Sequence, residues 1–159
     1  MPAVPVPTDP RSRPGPWTVG LSAATLAGLA LLALGRRETG SPWAPLNAVS
    51  HMLWGRRAYW RDDPSARYTL TGTALHTGGS LLWGGLYTLL RRRRLRPTPA
   101  NALTDAAAVT ALAAVVDLQL TPRRFTPGFE HRLSAPGMGL FYGSFALGLA
   151  VVGLRALSR

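Results

Sequence analysis

The chain has no cysteine, no lysine and no isoleucine among its 159 residues. Without cysteine it can form no disulfide, offers no thiolate to a metal and has no cysteine nucleophile. All 18 basic residues are arginines. Because lysine and isoleucine codons are rich in A and T, this bias indicates a GC-rich, bacterial genome. The length leaves room for one domain.

Acidic residues are also scarce, and the formal net charge is +11. A nucleic-acid-binding domain would carry such charge as a basic face on a soluble surface. Here the arginines instead flank apolar stretches, as at Arg36 and Arg37 and at Arg91 to Arg94. Arginines in such positions anchor helix ends among anionic lipid headgroups. The sequence therefore predicts the lipid bilayer as the partner, with anionic headgroups at the Arg clusters and no nucleic acid.

Four apolar stretches predict an all-α integral membrane bundle of four transmembrane helices, near residues 17–35, 69–90, 99–121 and 136–157. About 20 residues of helix cross a hydrocarbon core of roughly 30 Å. For the first stretch a cleaved signal peptide is the alternative, but its length and the arginines that follow favour an uncleaved helix. Residues 1–16 are rich in proline and predict a disordered tail before a single domain, 17–159.

The connection after the first span predicts one interfacial amphipathic helix over about 42–60. Ser41 followed by Pro42 is typical of a helix start. The segment is too short and too polar to cross a membrane. Its aromatic residues, including Trp43 and Trp60, suit the membrane surface, where such side chains concentrate.

Small residues recur at four-residue spacing on three of the predicted spans: Gly20-Ala24-Gly28, Ser80-Gly84 and Gly139-Gly143. They let helix backbones approach closely, and in lipid such packing drives helix association. We expect them to pack the helices within one bundle, with a homodimer through Gly139 and Gly143 as the alternative.

The arginine distribution predicts the orientation. Both faces carry equal numbers of arginines, but the face with the N-terminal tail, the 91–98 loop and the C-terminus concentrates them in less chain. The positive-inside rule weighs short loops most. We therefore expect both termini in the cytoplasm and the protein in the bacterial cytoplasmic membrane.

Two ionisable residues fall inside the predicted spans. His76 shares a stripe of small and polar residues with Gly72 and Ser80, and Asp117 lies near the same end of the bundle. Such groups are costly in lipid and usually pair or serve function. The sequence predicts that His76 and Asp117 meet, with a pair between Asp117 and Arg123 or Arg124 as the alternative.

Both long connections should emerge on one face, which brings a polar cluster together: Asn47, His51, His76, Asp117, Arg123, Arg124, Glu130 and His131. Within it, His51, His76 and His131 are candidate ligands for a metal or haem. No two histidines stand at the i, i+3 or i+4 spacing that would support a shared site. Phosphate loops, nucleophile elbows and H-E-x-x-H are absent, so no catalytic residue or cofactor is predicted.

The segments PLNAVSHMLWG and LTPRRFTPGFEHRLS resemble small bacterial inner-membrane proteins of no assigned activity. Those proteins carry an N-A-x-S-H-x-x-x-G-like stretch after the first helix and a P-[KR]-R-x-T-P-G-[FW]-E-like stretch after the third. The resemblance covers residues 42–134 and implies four spans in a bacterial cytoplasmic membrane, without an activity. The matching positions are Asn47, Ala48, Ser50, His51, Gly55, Pro122 to Thr126, Pro127, Gly128, Phe129 and Glu130.

Three functions are compatible with these patterns. The leading hypothesis is a non-enzymatic structural or accessory membrane protein. The first alternative is a metal- or haem-binding membrane protein that uses His76 with His51 or His131. The second is a small oligomeric proton-responsive transporter that uses His76 and Asp117.

Overall fold

The computed structural model describes residues 15–95 and 98–157, so nearly all of the predicted tail lies outside it. The described residues form helices and no strand, which confirms the all-α class. The main helices are α1 (Pro16–Thr39), α2 (Ala44–Val49), α3 (His51–Trp54), α4 (Thr71–Arg93), α5 (Pro99–Val115) and α6 (Ala135–Arg155). Short 3₁₀ turns cover Arg56–Trp60 and Phe129–His131, and π-helical turns cover Ala66–Leu70 and Val116–Leu120.

The four long helices form a ring in the order α1, α4, α5, α6, and each helix packs mainly against its two neighbours. Consecutive long helices run antiparallel, so the connections 40–70 and 121–134 lie at one end of the bundle. The helix boundaries fall within a few residues of the predicted stretches, with α1 extended to Thr39 and α4 to Arg93.

Glycines bring the helices of the ring into backbone contact. A Cβ atom on Gly84 of α4 would lie 2.6 Å from the Cα of Gly20 on α1. A Cβ on Gly148 of α6 would lie 2.5 Å from the Cα of Ala23. The predicted packing role of the small residues on α1 and α4 is therefore confirmed. Gly139 and Gly143 differ, because they are exposed and a Cβ on either would meet nothing within 4 Å.

The predicted amphipathic helix over 42–60 is wrong. The segment contains two short helices and a 3₁₀ turn, and every residue from Ala44 to His51 is buried. α2 sits against the ends of α1 and α4, where Gly35 makes room for Pro45 and Gly72 for the Leu46 carbonyl. The polar residues of α2 that would have formed a water-facing stripe instead find partners inside the protein.

Three helical stretches are long and apolar enough to cross a membrane by length and composition: Pro16–Thr39, Pro99–Leu120 and Ala135–Arg155. α4 is 23 residues long but is not among them. Its sequence is rich in Gly and Thr and includes His76 and Ser80, which lower its hydropathy.

Candidate functional site

The two connections at one end of the bundle, residues 41–70 and 121–134, pack together, and we refer to them as the end cap. The Nε2 of His51 lies 3.4 Å from the Arg123 carbonyl oxygen. Gly128 adopts a φ of +89°, and a Cβ there would lie 2.5 Å from the Ala48 carbonyl oxygen. Only glycine satisfies both conditions. The predicted contact between the two connections is confirmed.

Asn47 is the central hydrogen-bonding residue of the end cap. Its side chain is fully buried and donates to the carbonyl oxygens of Arg61, at 2.8 Å, and Asp63, at 3.0 Å. Its amide oxygen accepts a hydrogen bond from the Thr69 hydroxyl at 2.6 Å. One amide thereby joins α2, the loop before α4 and the π-helical turn that starts α4.

Aromatic rings form the second contact within the end cap. The Tyr59 ring packs against both His51 and His131, and its centroid lies 4.5 Å from that of each imidazole. Burial, and then the charge of Glu130, raise the pKa of the Tyr59 phenol above its ordinary value. Arg132 donates to the Tyr59 carbonyl oxygen at 2.8 Å and forms an ion pair with Asp62.

A cavity of about 110 Å³ lies beneath the end cap, bounded by α4, α5 and α6. Four polar residues line it, namely His76, Ser80, Asp117 and Tyr142. Much of the remaining wall is aromatic, from Trp83, Phe125, Phe129, Phe141 and Phe145. The Ser80 hydroxyl is already committed, because it donates to the His76 carbonyl oxygen at 2.8 Å.

His76 and Asp117 share this cavity but do not bond to each other, so the predicted direct pair is wrong. The Nε2 of His76 donates to the Ala24 carbonyl oxygen on α1 at 3.1 Å. Asp117 instead accepts a hydrogen bond from the Tyr142 hydroxyl at 3.2 Å. The alternative pair with Arg123 or Arg124 is not formed either, since both are exposed and no described arginine lies within ion-pair distance of Asp117.

At the other end of the bundle, α4 and α5 are tied together. The Tyr87 hydroxyl donates to the Ala102 carbonyl oxygen at 3.3 Å. Asp105 is 3% exposed and pairs with Arg94 at 2.5 Å and with Arg91 at 3.5 Å. Towards the end cap, His76 of α4 and Asp117, which follows α5, line the cavity instead.

Sequence reasoning missed Asp105 and Tyr142. Asp105 was detectable, because an acidic residue inside an apolar helix that follows four arginines calls for a cationic partner. Tyr142 carries no such signal, since a tyrosine on an apolar helix is ordinary.

The candidate metal ligands do not converge. His51 and His131 each pack against the Tyr59 ring, and His76 donates a hydrogen bond to α1. Across residues 15–95 and 98–157, no group of three or more His, Cys, Asp or Glu side chains is arranged to hold a metal ion. Glu130 has one buried carboxylate oxygen, Oε2, without a hydrogen-bond partner.

Comparison with known protein families, with curated proteins and with solved structures found no match to this chain.

Proposed function

We propose that the chain is a four-span integral membrane protein of the bacterial cytoplasmic membrane, which acts as a non-enzymatic structural or accessory protein. The observation that carries the fourth span is the position of α4 in the ring. α4 lies between α1 and α5, both apolar enough to cross a membrane, and touches α1 at backbone distance through Gly84 and Gly20. If α1 and α5 cross a bilayer as neighbours of α4, then α4 crosses with them.

The outer surface of the bundle supports a membrane environment for this protein. Large apolar side chains are exposed on all four long helices, including Leu21, Leu29, Leu82, Leu89, Leu112, Leu140 and Leu147. Exposed apolar surface on this scale is unusual for a soluble monomer. It is the expected outer face of a membrane bundle, where helices are apolar both inside and outside.

Arginine and aromatic side chains at the end cap fit one membrane surface. The Arg67 guanidinium lies 4.4 Å from the Trp54 ring centroid, and that of Arg132 lies 5.7 Å from the Trp60 centroid. Such groups favour the headgroup level. Arg91 to Arg94 occupy the opposite end, about one helix length away, and we propose anionic lipid headgroups as partners there.

α1 supports an uncleaved first span. It contributes Val19, Ala23, Ala27 and Leu31 to the core shared by the other long helices. Cleavage after residue 35 would remove this helix and expose the faces of α4 and α6 that pack on it.

The topology is tested with reporter fusions after Asp63, after Arg96 and at the C-terminus. The first should report periplasm and the other two cytoplasm, because α4 crosses between Asp63 and Arg96 and α5 and α6 return the chain to the same side. The inverse of all three signals would reverse the orientation. Equal signals after Asp63 and Arg96 would contradict the crossing of α4 and with it the fourth span.

The non-enzymatic assignment is supported by the hydroxyls near the histidines. Ser50 donates to the Asn47 carbonyl oxygen at 2.7 Å, and Ser80 donates to that of His76. Neither hydroxyl is hydrogen-bonded to an imidazole that would activate it as a nucleophile.

One observation favours the transporter as a second candidate: His76 and Asp117 line the same cavity. Four spans are few for a transporter, so this function would use a homodimer. Gly139 and Gly143 form an open, exposed stripe on α6 that could receive a second copy. Gly143→Leu should then dissociate a detergent-solubilised dimer, whereas a monomeric native chain would remove this candidate.

A further inference from the structure

The Asp117 carboxyl group lines the cavity beneath the end cap, and no described cationic side chain pairs with it. One oxygen of Asp117, Oδ2, accepts from Tyr142, and no described residue donates to the other, Oδ1. Glu130 follows Phe129, a cavity-lining residue, and its Oε2 atom is buried without a hydrogen-bond partner. One carboxylate therefore lines the cavity and a second lies next to a wall residue, while no described arginine lines it. His76 is the basic residue in its wall, and a neutral imidazole adds no repelling charge.

The remaining wall suits the apolar part of a cation. Six aromatic residues contribute to it: Trp83, Phe125, Phe129, Phe141, Tyr142 and Phe145. Aromatic faces attract alkylammonium groups through the negative potential of the ring, and the attraction is strongest where water is excluded. A carboxylate beside aromatic rings therefore selects an organic cation over an anion or a neutral molecule of equal size.

The cavity volume limits the size of the ligand. At about 110 Å³ it is somewhat smaller than cavities that hold benzene. A group of about five to seven non-hydrogen atoms fits, which is the size of a tetramethylammonium or choline ion.

The cavity reaches the surface of the bundle between α4 and α5. Gly79 lines it and is exposed, and a Cβ on Gly79 would meet nothing within 4 Å. Phe125, at the rim contributed by the end cap, is 55% exposed. The cavity is therefore open to the surface beside Gly79 and at the rim formed by Phe125.

We propose that this cavity binds a small organic ammonium ion, whose positive charge pairs with Asp117 while its alkyl groups contact the aromatic wall. The proposal rests on the proposed function, because it takes this opening to lie at the end-cap side of the membrane, where a free ion can reach it from water past the exposed rim at Phe125. A free ion fits better than a lipid headgroup, since a phosphate next to the ammonium group would be brought close to Asp117 and Glu130.

The test measures ligand binding to the purified full chain in a non-ionic detergent, by isothermal titration and by ligand-induced thermal stabilisation. Choline and tetramethylammonium should bind saturably. Dimethylbutanol, the neutral carbon isostere of choline, should bind at least about tenfold more weakly, because it lacks the charge. Phosphocholine should also bind more weakly than choline.

Two pairs of variants locate the site. Asp117→Asn keeps the size of the side chain and should raise the Kd for choline at least about tenfold. Asp63→Asn removes the same charge from an exposed position in the end cap and should leave the Kd unchanged. Gly79→Leu should block the access route, whereas Gly78→Leu, also on an open and exposed glycine but outside the cavity wall, should not.

The outcomes separate this inference from the function on which it rests. Equal binding of choline and dimethylbutanol would make the cavity an apolar pocket and overturn the cation site. Stronger binding of phosphocholine would assign the cavity to a lipid headgroup. Absence of saturable binding, or unchanged binding in Asp117→Asn, would overturn the inference while reporter fusions still showed four spans, and unchanged binding in Gly79→Leu would place the ligand outside this cavity. If the reporter fusions contradicted four spans, both the proposed function and the cation site would be overturned.

Discussion

Replacement of Asn47 should destabilise the protein more than any other polar substitution in the end cap. Asn47→Ala removes three hydrogen bonds, to the carbonyl oxygens of Arg61 and Asp63 and from the Thr69 hydroxyl. A typical intramolecular hydrogen bond contributes about 1 kcal/mol net. The two carbonyls belong to exposed residues and can be rehydrated, so we expect a loss of about 3 kcal/mol rather than a larger desolvation penalty.

Asn47→Asp is the sharper version of this experiment, because it changes the chemistry without changing the size. A carboxylate cannot donate, so it would place negative oxygens against the two carbonyl oxygens that the amide now satisfies. We expect the loss of stability to equal or exceed that of Asn47→Ala. Gln119→Ala serves as the control, since Gln119 is an exposed amide in the π-helical turn after α5 and should change stability by less than about 0.5 kcal/mol.

The assay is thermal unfolding in detergent, followed by circular dichroism. For chains of this length, 1 kcal/mol corresponds to a Tm shift of about 2–4 °C, so Asn47→Ala should lower Tm by about 6–12 °C. In a double-mutant cycle with Thr69→Val, the two substitutions should be coupled by about 1 kcal/mol. The reasoning would be refuted if Asn47→Ala and Gln119→Ala unfolded at the same temperature, or if Asn47→Asp were as stable as the native chain.

Three further predictions follow from the packing. Gly84→Ala should lower Tm markedly because its Cβ would enter the Gly20 backbone, whereas Gly85→Ala should be neutral or stabilising because its Cβ meets open space; equal effects of the two would contradict the close helix approach. His76→Leu and Asp117→Leu should have additive effects on stability to within about 0.5 kcal/mol, since no hydrogen bond joins them; strong coupling would show that they pair directly. A cysteine pair at Trp60 and Arg132 should cross-link with short reagents, because the two side chains are in contact; a pair at Trp60 and Leu95, at opposite ends of the bundle, is the negative control.

Those features of the fold that depend on run length and parity could be predicted from the sequence. α1, α5 and α6 are predominantly apolar stretches, and their boundaries follow from flanking arginines and prolines. The contact between the two long connections follows because two antiparallel crossings separate them. Neither conclusion depends on which side chains are in contact.

The burial of α2 could not be predicted, because its cause lies elsewhere in the chain. Asn47, Ser50 and His51 are polar and by composition belong on a water-facing stripe. They are buried because their partners come from residues distant in sequence, such as Arg61, Thr69 and the Arg123 carbonyl, or from carbonyl groups of α2 itself. Periodicity in the sequence reports only local spacing, so it cannot predict a hydrogen bond that forms after the helices have assembled.

In α4, residues that lower the hydropathy of the helix also line the cavity beneath the end cap. Its hydropathy is low because glycines, threonines, His76 and Ser80 replace the leucines of an ordinary span. Gly84 is needed for backbone contact with α1. The Ser80 hydroxyl donates to the backbone carbonyl of His76, and the His76 imidazole donates to the Ala24 carbonyl. Gly79 leaves open the side of the cavity that a larger residue would close. Several of the residues that lower the hydropathy of α4, namely His76, Gly79, Ser80 and Gly84, are thus those that pack it into the ring or line the cavity.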